Sequence, residues 1–429
     1  MKKIKIPHLA RVEGDGGITV VFEDDNKVKS VEMDIFEGPR LIEALAEGKT
    51  AEEIISFTPR ICAICTVSHK NVAIRACEKA LDYKVQEKTE LVRELMHMGE
   101  VIESHSLHVF ALALPDFLGY PNVVAMTDKY KDVVVKALGL KKYGNKIMKL
   151  LNGKFIHGEN ATCGGLGKFP ANDELKEIKK ESNEHLSFMI KACDIVADIE
   201  IPDYLEEETV FACCSPTGKE YPFWGDSIIV SDGKEIQLDE YQKHFKERVV
   251  PHSFAKRSLY KNKPFTVGAL ARINCNGDNL TGSAHALYKK NKSKRWLKNP
   301  LYNNLAQAIE TVYALERIPE LVDKIVKMKD PVKENPNRSE GRGVGAVEAP
   351  RGLLIHEYEF KNELATYSNI ITPTAFNLDD IEKYIMKAAK SLLKEKKDHD
   401  SMRFEFEIIA RAYDPCISCA THLVKIKYQ

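Results

Sequence analysis

Net charge is what this 429-residue chain most plainly lacks: 63 Lys and Arg balance 63 Asp and Glu. That balance leaves no basic field to hold a phosphate backbone, so nucleic acid is not an expected partner. Long apolar runs are missing too. The greasiest segment, about Leu107 to Leu118, is broken by His108, Pro115 and Asp116, well short of the ~20 apolar residues that a membrane span needs. The opening MKKIKIPHLARVEG has no apolar stretch behind its basic residues. Neither a secretory signal nor an anchor is therefore expected there, and a cytoplasmic location is. The chain has no internal repeat, no glycine-rich nucleotide fingerprint and no ferredoxin-type cysteine series. Its ten cysteines follow no regular spacing, which argues against a secreted disulfide framework and for a reducing compartment.

What is present is enough apolar residue, 44%, for a sizeable core. Alternating residues on either side of Asp24-Asp25-Asn26 predict an antiparallel hairpin over 18–34, and Ser231-Asp232-Gly233 predicts the turn of another between Ser227 and Leu238. Helical spacing of Leu91, Leu95, Met98 and Ile102 predicts a long buried helix over 88–114 that ends at Pro115. Short helices are expected at 39–47 and 51–55, longer ones at 173–198, 301–328 and 379–396, and a surface loop at 329–342. The expected fold class is α+β, a predominantly helical core with small antiparallel sheets. One unit spans 1–429, its two end segments sharing a core, with residues 201–300 forming a peripheral β-containing region.

Two C-x-x-C pairs stand out, Cys62 with Cys65 and Cys416 with Cys419. Such spacing lets two thiolates converge on one metal. Thr66 or Ser68 followed by Val72, Ile74 and Ala76 predicts a helix starting at the first pair, whose free amides and dipole favour thiolate. Four cysteines often mean structural zinc, but zinc ribbons set their pairs ~15–20 residues apart, and almost the whole chain separates these. Thiolates suit zinc, iron-sulfur clusters and nickel or iron alike, so spacing leaves the metal open.

Further motifs narrow it. Arg11-Val12-Glu13-Gly14, Arg60 to His69, Gly345 to Gly352 (GAVEAPRG), Thr372 to Asn377 (TPTAFN) and Asp414 to His422 occur in that order. Together they resemble the catalytic large subunit of nickel-iron hydrogenases, with the cytoplasmic multisubunit, sulfhydrogenase-like and NAD(P)-linked type the best match. The resemblance covers about residues 5–422. It implies reversible heterolytic oxidation of dihydrogen to protons and electrons, at a nickel-iron centre whose iron bears cyanide and carbonyl.

By that resemblance, Cys62 and Cys416 are terminal nickel ligands, and Cys65 and Cys419 bridge nickel to iron. Arg351 lies over the open metal position with Asp414 as its partner, and Glu13 relays protons, a role for which burial would suit its carboxyl. Pro350, Pro373 and Thr374 lie against the diatomic ligands, and His69, four residues after Cys65, donates to a thiolate sulfur. Ser104 stands where several members carry an Asp beside the arginine, which puts more weight on Asp414. A second metal, magnesium or iron, is implied at His422 with Glu43 and the Leu354 carbonyl. Residues 423–429 follow the histidine after which family precursors are cut, so they are expected either as an extension that a maturation endopeptidase removes or as a tail that this member keeps.

The implied partners are a small iron-sulfur subunit, which carries the clusters this chain lacks, and diaphorase-type NAD(P)-linked subunits. The rival expectations are a non-catalytic subunit stapled by zinc, and the hydrogenase module of a deazaflavin-reducing or membrane-linked complex. His105 and His108 are expected as hydrogen-bonded core residues. Cys77, Cys163, Cys193, Cys213, Cys214 and Cys275 are expected as free thiols.

Overall fold

The computed structural model describes residues 2–23, 27–216, 218 and 220–421. Three strands open the chain: β1 (Lys2–Ile6), β2 (Gly16–Phe22) and β3 (Val28–Ile35). The 18–34 hairpin is β2 with β3, Val20 opposite Val31; its turn at 24–26 lies outside the described residues. Helix α1 (Thr66–Leu81) and helix α2 (Glu87–Ser106) follow, then α3 (Thr127–Asn152), which was not foreseen, and α4 (Asn172–Ala197). The predicted hairpin at 227–238 appears as Ser227–Val230 against Glu235–Gln237. Strands β4 (Phe245–Val250) and β5 (Ser253–Tyr260) join the opening strands in one sheet, in the order β1-β2-β3-β5-β4.

Helix α5 (Ala269–Asn276) and helix α6 (Asn303–Ile325) lead to a three-stranded antiparallel sheet of β6 (Gly341–Ala349), β7 (Gly352–Lys361) and β8 (Leu364–Ile371). Helix α7 (Pro373–Lys394) and helix α8 (His399–Ala412) close the chain with one short turn at Ile417–Ala420. Helix α7 starts six residues before the expected 379, because Pro373 needs no N–H in a first turn.

The helical core is built from α2, α3, α4 and α6, which share one apolar cluster including Leu95, Ile102, Ile147 and Leu315. Helices α2 and α3 touch backbone to backbone: a Cβ on Gly144 would lie 2.4 Å from the Gly99 carbonyl, so the crossing requires glycine. Helix α2 is buried on nearly every side, Arg93, Glu100, Glu103 and His105 included. It does not end at Pro115. Beyond Ser106 the chain widens into π-turns over Leu107–Ala113, where the Leu114 amide bonds the Val109 carbonyl, and then makes a last turn at Leu114–Phe117 that includes Pro115.

The second cluster draws mainly on the two ends of the chain, with Ile4 and Ile18 packing among Ile381, Phe406 and Ile417, and is joined by Leu205, Ala255 and Leu301 from the middle. Sheet β6-β7-β8 lies on α1, where a Cβ on Gly343 would meet the Ala76 carbonyl at 2.1 Å. Ala349 pairs with Gly352, so the tip of the β6–β7 hairpin is the two-residue turn Pro350–Arg351. Residues 201–300 are more than a periphery, since α5 carries the wholly buried Arg272 into the interior. No helix among the described residues is long and apolar enough to cross a membrane.

Candidate metal centre

The first cysteine pair straddles the start of α1. Cys62 follows a tight turn at Thr58–Ile61, and Cys65 stands at the helix N-cap. Neither Thr66 nor Ser68 caps this helix alone. The carboxylate of Glu100, from α2, accepts the amides of Val67 (2.6 Å) and Ser68 (3.0 Å) and the Ser68 hydroxyl. Burial pushes the Glu100 pKa up to about 8 against those bonds, and the charge of Cys62 adds to the rise.

The second pair is held by more distant residues. Asp414 turns the chain with φ 50°, in the left-handed region where Asp is tolerated. The Cys416 amide donates to the Thr374 hydroxyl (2.9 Å) in the first turn of α7, and the Ile417 amide to the Glu13 carbonyl (2.9 Å). Arg40, absent from the expected site, joins the two pairs: its guanidinium donates to the carbonyls of Ile61 and Ser418, each at 2.6 Å.

The four sulfurs lie within 4.8 Å of one another, with Cys62 3.4 Å from Cys416 and Cys65 3.5 Å from Cys419, and all four residues are buried. Burial works against ionisation at Cys62, but hydrogen bonds from the other three thiols and the charge of Arg351 bring it well below its ordinary value. At Cys65 the bonds from Cys416 and Cys419 favour the thiolate. The bond to Cys62, burial and the Cys62 charge outweigh them and push Cys65 up to about 11. Burial, followed by the neighbouring sulfurs, raises Cys416 and Cys419 well above the usual thiol range. The protein's own charges thus support one thiolate. Four thiolates at this spacing require cationic charge among the sulfurs, and the donor set fits one soft metal ion or a pair of them.

Arg351, at the hairpin tip, donates from Nε to the Asp414 carbonyl (2.7 Å) and its carboxylate (3.0 Å), and from Nη2 to that carboxylate (3.0 Å). Its Nη1 is buried with no hydrogen-bond partner among the described residues, and neither does the hydroxyl of buried Ser104 have one. Gln307, from α6, donates to the other Asp414 oxygen (3.2 Å). Glu13 is half-buried rather than buried, so the enclosure expected for it is incomplete. Its carboxylate accepts from the Cys416 thiol (3.0 Å) and the Ser418 amide (3.2 Å).

His69 lies wholly inside, its Nε2 3.9 Å from the sulfur of Cys419 rather than of Cys65. Its Nδ1 meets His356 Nε2 (3.2 Å), whose Nδ1 faces the Tyr358 hydroxyl (2.8 Å). Neither His356 nor Tyr358 was singled out by the motifs. Pro350 and Pro373 sit in the turns that carry Arg351 and Thr374.

For the second metal, His422 lies outside the described residues. Glu43 is buried, and one of its oxygens accepts from Lys256 (2.8 Å) and from the Ile370 amide (2.7 Å). An ammonium therefore sits on the carboxylate expected to bind metal. Leu354 is buried in β7, opposite Val347. His105 and His108 are core residues, bonded to Glu310 (2.9 Å) and Gln307 (2.5 Å), and all ten cysteines are free thiols. A groove of about 780 Å³ between α3 and α4, around Tyr143, Lys146 and Glu177, has none of the site residues in its lining.

Comparison with known proteins bears on the identity of this centre. The family model described as nickel-dependent hydrogenase matches residues 40–133 and 224–422. The chain is 41% identical over 425 residues to Sulfhydrogenase 1 subunit alpha of Pyrococcus furiosus, covering 99% of this chain and 98% of that one. It is 39% identical to Sulfhydrogenase 2 subunit alpha of the same organism, covering 99% and 100%. Among solved structures, an NAD+-reducing NiFe hydrogenase in its H2-reduced state superposes with a TM-score of 0.91 at 28% identity, covering 98% of this chain and 100% of that one.

Proposed function

Because the chain belongs to the nickel-dependent hydrogenase family, as its catalytic large subunit, we propose that the four buried cysteines hold a nickel-iron pair with Cys62 and Cys416 terminal and Cys65 and Cys419 bridging. Such a pair, when bound, supplies the Lewis acidity and redox capacity for reversible heterolytic cleavage of dihydrogen. The protein's own part is to hold the thiolates, keep a cation beside them and carry the proton away. Arg351 supplies the cation, as a charge that does not titrate, and Asp414 orients it by binding its Nε and Nη2 side and leaving Nη1 toward other partners.

The observation that carries the proton path is the 3.0 Å contact between the Cys416 sulfur and the Glu13 carboxylate. A proton on that sulfur needs one short transfer to reach Glu13, whose half-exposed position then offers it to water. Thr374 accepts the Cys416 amide and keeps its hydroxyl proton to donate, as a contact to an iron-bound cyanide or carbonyl would need; Pro350 and Pro373 close the same side with apolar rings. His69 orients Cys419 by donating from Nε2, which leaves Nδ1 to accept from His356. Electrons pass to iron-sulfur clusters in a small partner subunit and on to NAD(P) through diaphorase-type subunits. The likeness to the NAD+-reducing hydrogenase supports that acceptor. A magnesium or iron ion at Glu43, the Leu354 carbonyl and His422, and removal of 423–429 by an endopeptidase, complete the reading.

Infrared absorption in the cyanide and carbonyl region, with metal analysis of the native assembly, tests the centre: nickel, iron and those bands are expected, and zinc alone would reject it. For the relay, Glu13→Gln should slow exchange between dihydrogen and solvent protons by ~10²–10⁴-fold with nickel and iron retained. Unchanged exchange would place the path elsewhere.

A further inference from the structure

Arg272 touches none of the four cysteines, yet its guanidinium is bonded on every N–H. Nε and Nη2 grip the two oxygens of Glu310 (2.6 Å each), and Nη1 reaches Glu348 (3.0 Å). The two remaining hydrogens go to the backbone carbonyls of Ala349 (3.0 Å) and Pro350 (3.1 Å). Five donors meet five acceptors, a match that a lysine ammonium with three cannot make. Arg272, Glu310 and Glu348 are all 0% exposed. Breaking such an array strands buried charge, so its geometry resists drift.

The two carbonyls belong to the residues directly before Arg351, at the tip of the β6–β7 hairpin. The rest of that tip is also clamped. His97 Nε2 donates to the Glu348 carbonyl (3.0 Å), and the Cys214 amide donates to the Glu348 carboxylate (2.7 Å). On the far side, a Cβ on Gly352 would lie 2.6 Å from the Gly268 amide, at the start of the helix that carries Arg272. Burial pushes His97 down to about 3 and keeps it neutral, so among these clamping side chains Arg272 is the cation.

We propose that Arg272 is a positioning residue for hydrogen activation: through the carbonyls of Ala349 and Pro350 it fixes the hairpin tip and thereby the place of the Arg351 guanidinium. The proposal rests on the reading of Arg351 given above. Glu310 is the counter-charge that keeps Arg272 in place. Burial opposes its ionisation, but Arg272 outweighs that and holds Glu310 down to about 2. A small displacement of a charge at a reaction centre costs up to ~100-fold in rate, which sets the size of the effect.

A double-variant cycle on the nickel-loaded native assembly tests this, with turnover normalised to nickel content. Arg272→Lys should lower kcat for dihydrogen oxidation ~10–100-fold and leave KM for dihydrogen within about twofold. Arg351→Lys should lower kcat at least as far. The double variant should be no slower than Arg351→Lys alone, because Arg272 acts only through Arg351. Losses that multiply, or an undiminished kcat in Arg272→Lys, overturn the proposal; an undiminished kcat in Arg351→Lys instead overturns the reading beneath it. Should Arg272→Lys fail to assemble, Glu310→Gln takes its place in the cycle. It leaves both carbonyl acceptors in place and weakens the anchor, together with the Glu310 contacts to Tyr221 and His105, which lie away from the turn; a loss of a few-fold that Arg351→Lys absorbs is expected, and a multiplying loss again overturns the proposal.

Discussion

Cys65 begins a helix, whereas Cys416 hangs from residues far away in the chain, although both belong to pairs with the same spacing. The first pair is shaped locally, by a turn at Thr58–Ile61 and by the first amides of α1, with Glu100 as an outside cap. The second pair takes its geometry from Thr374 and from the backbone of Glu13. The first pair opens a helix of 16 residues, whereas the second opens only the single turn Ile417–Ala420 and takes the rest of its geometry from tertiary packing. Damage to the fold should therefore reach the second pair first.

Perturbing each pair in turn sharpens that contrast. The largest effect is expected from Cys416→Ser, which should reduce dihydrogen uptake to background in an assembly that still folds; near-normal uptake would remove Cys416 from the ligand set. Next comes Thr374→Val, which leaves the Cys416 amide buried without an acceptor. A cost of ~1–3 kcal/mol and a ~10–100-fold loss of turnover are expected, read by thermal unfolding and assay.

Glu100→Gln tests the other pair. Uncapping α1 should cost ~1–2 kcal/mol and reduce turnover only a few-fold, because the helix itself still places Cys65. It has a pH signature as well. Folded Glu100 holds its proton up to about pH 8, against an ordinary value of 4.5, so the folded state binds the extra proton between those limits. Stability then falls as pH rises through that window, by at most ~1.4 kcal/mol per unit, and Glu100→Gln should flatten this slope in melting curves. The smallest effect is expected from Arg40→Lys, which loosens the tie between the pairs. A cost near ~1 kcal/mol should move the melting temperature by a few degrees or less; an effect larger than that of Thr374→Val would mean that the pairs depend on each other more than on their own supports.

The same contrast explains what could be read in advance. Both C-x-x-C pairs and the helix after Cys65 were legible, because each is carried by a short motif or a local pattern, whereas the partnership of Arg351 with Asp414 came only with the family resemblance. Glu100, Arg40 and Arg272 were not. Each acts on backbone atoms of a segment distant in sequence, and a carbonyl or an amide leaves no mark of who will bind it. The glycines of GAVEAPRG had no evident purpose until β6 was seen against α1, where Gly345 meets the Val72 carbonyl. Helix α2 stopped at Ser106, before its expected end, while the helical path went on through π-turns and past Pro115 to Phe117, a change of winding that apolar periodicity does not mark.

The bridge between Glu13 and Cys416 joins residues 403 positions apart. A chain made from its N-terminus onward thus has Glu13, Cys62 and Cys65 long before the two sulfurs that complete the cluster. Closure of such a non-local contact is late and slow. Until then Cys62 and Cys65 lack the partners that enclose them, so metal can enter before the lid exists. The enclosed centre is in this sense a record of completion: its burial requires that both ends of the chain have been made and brought together.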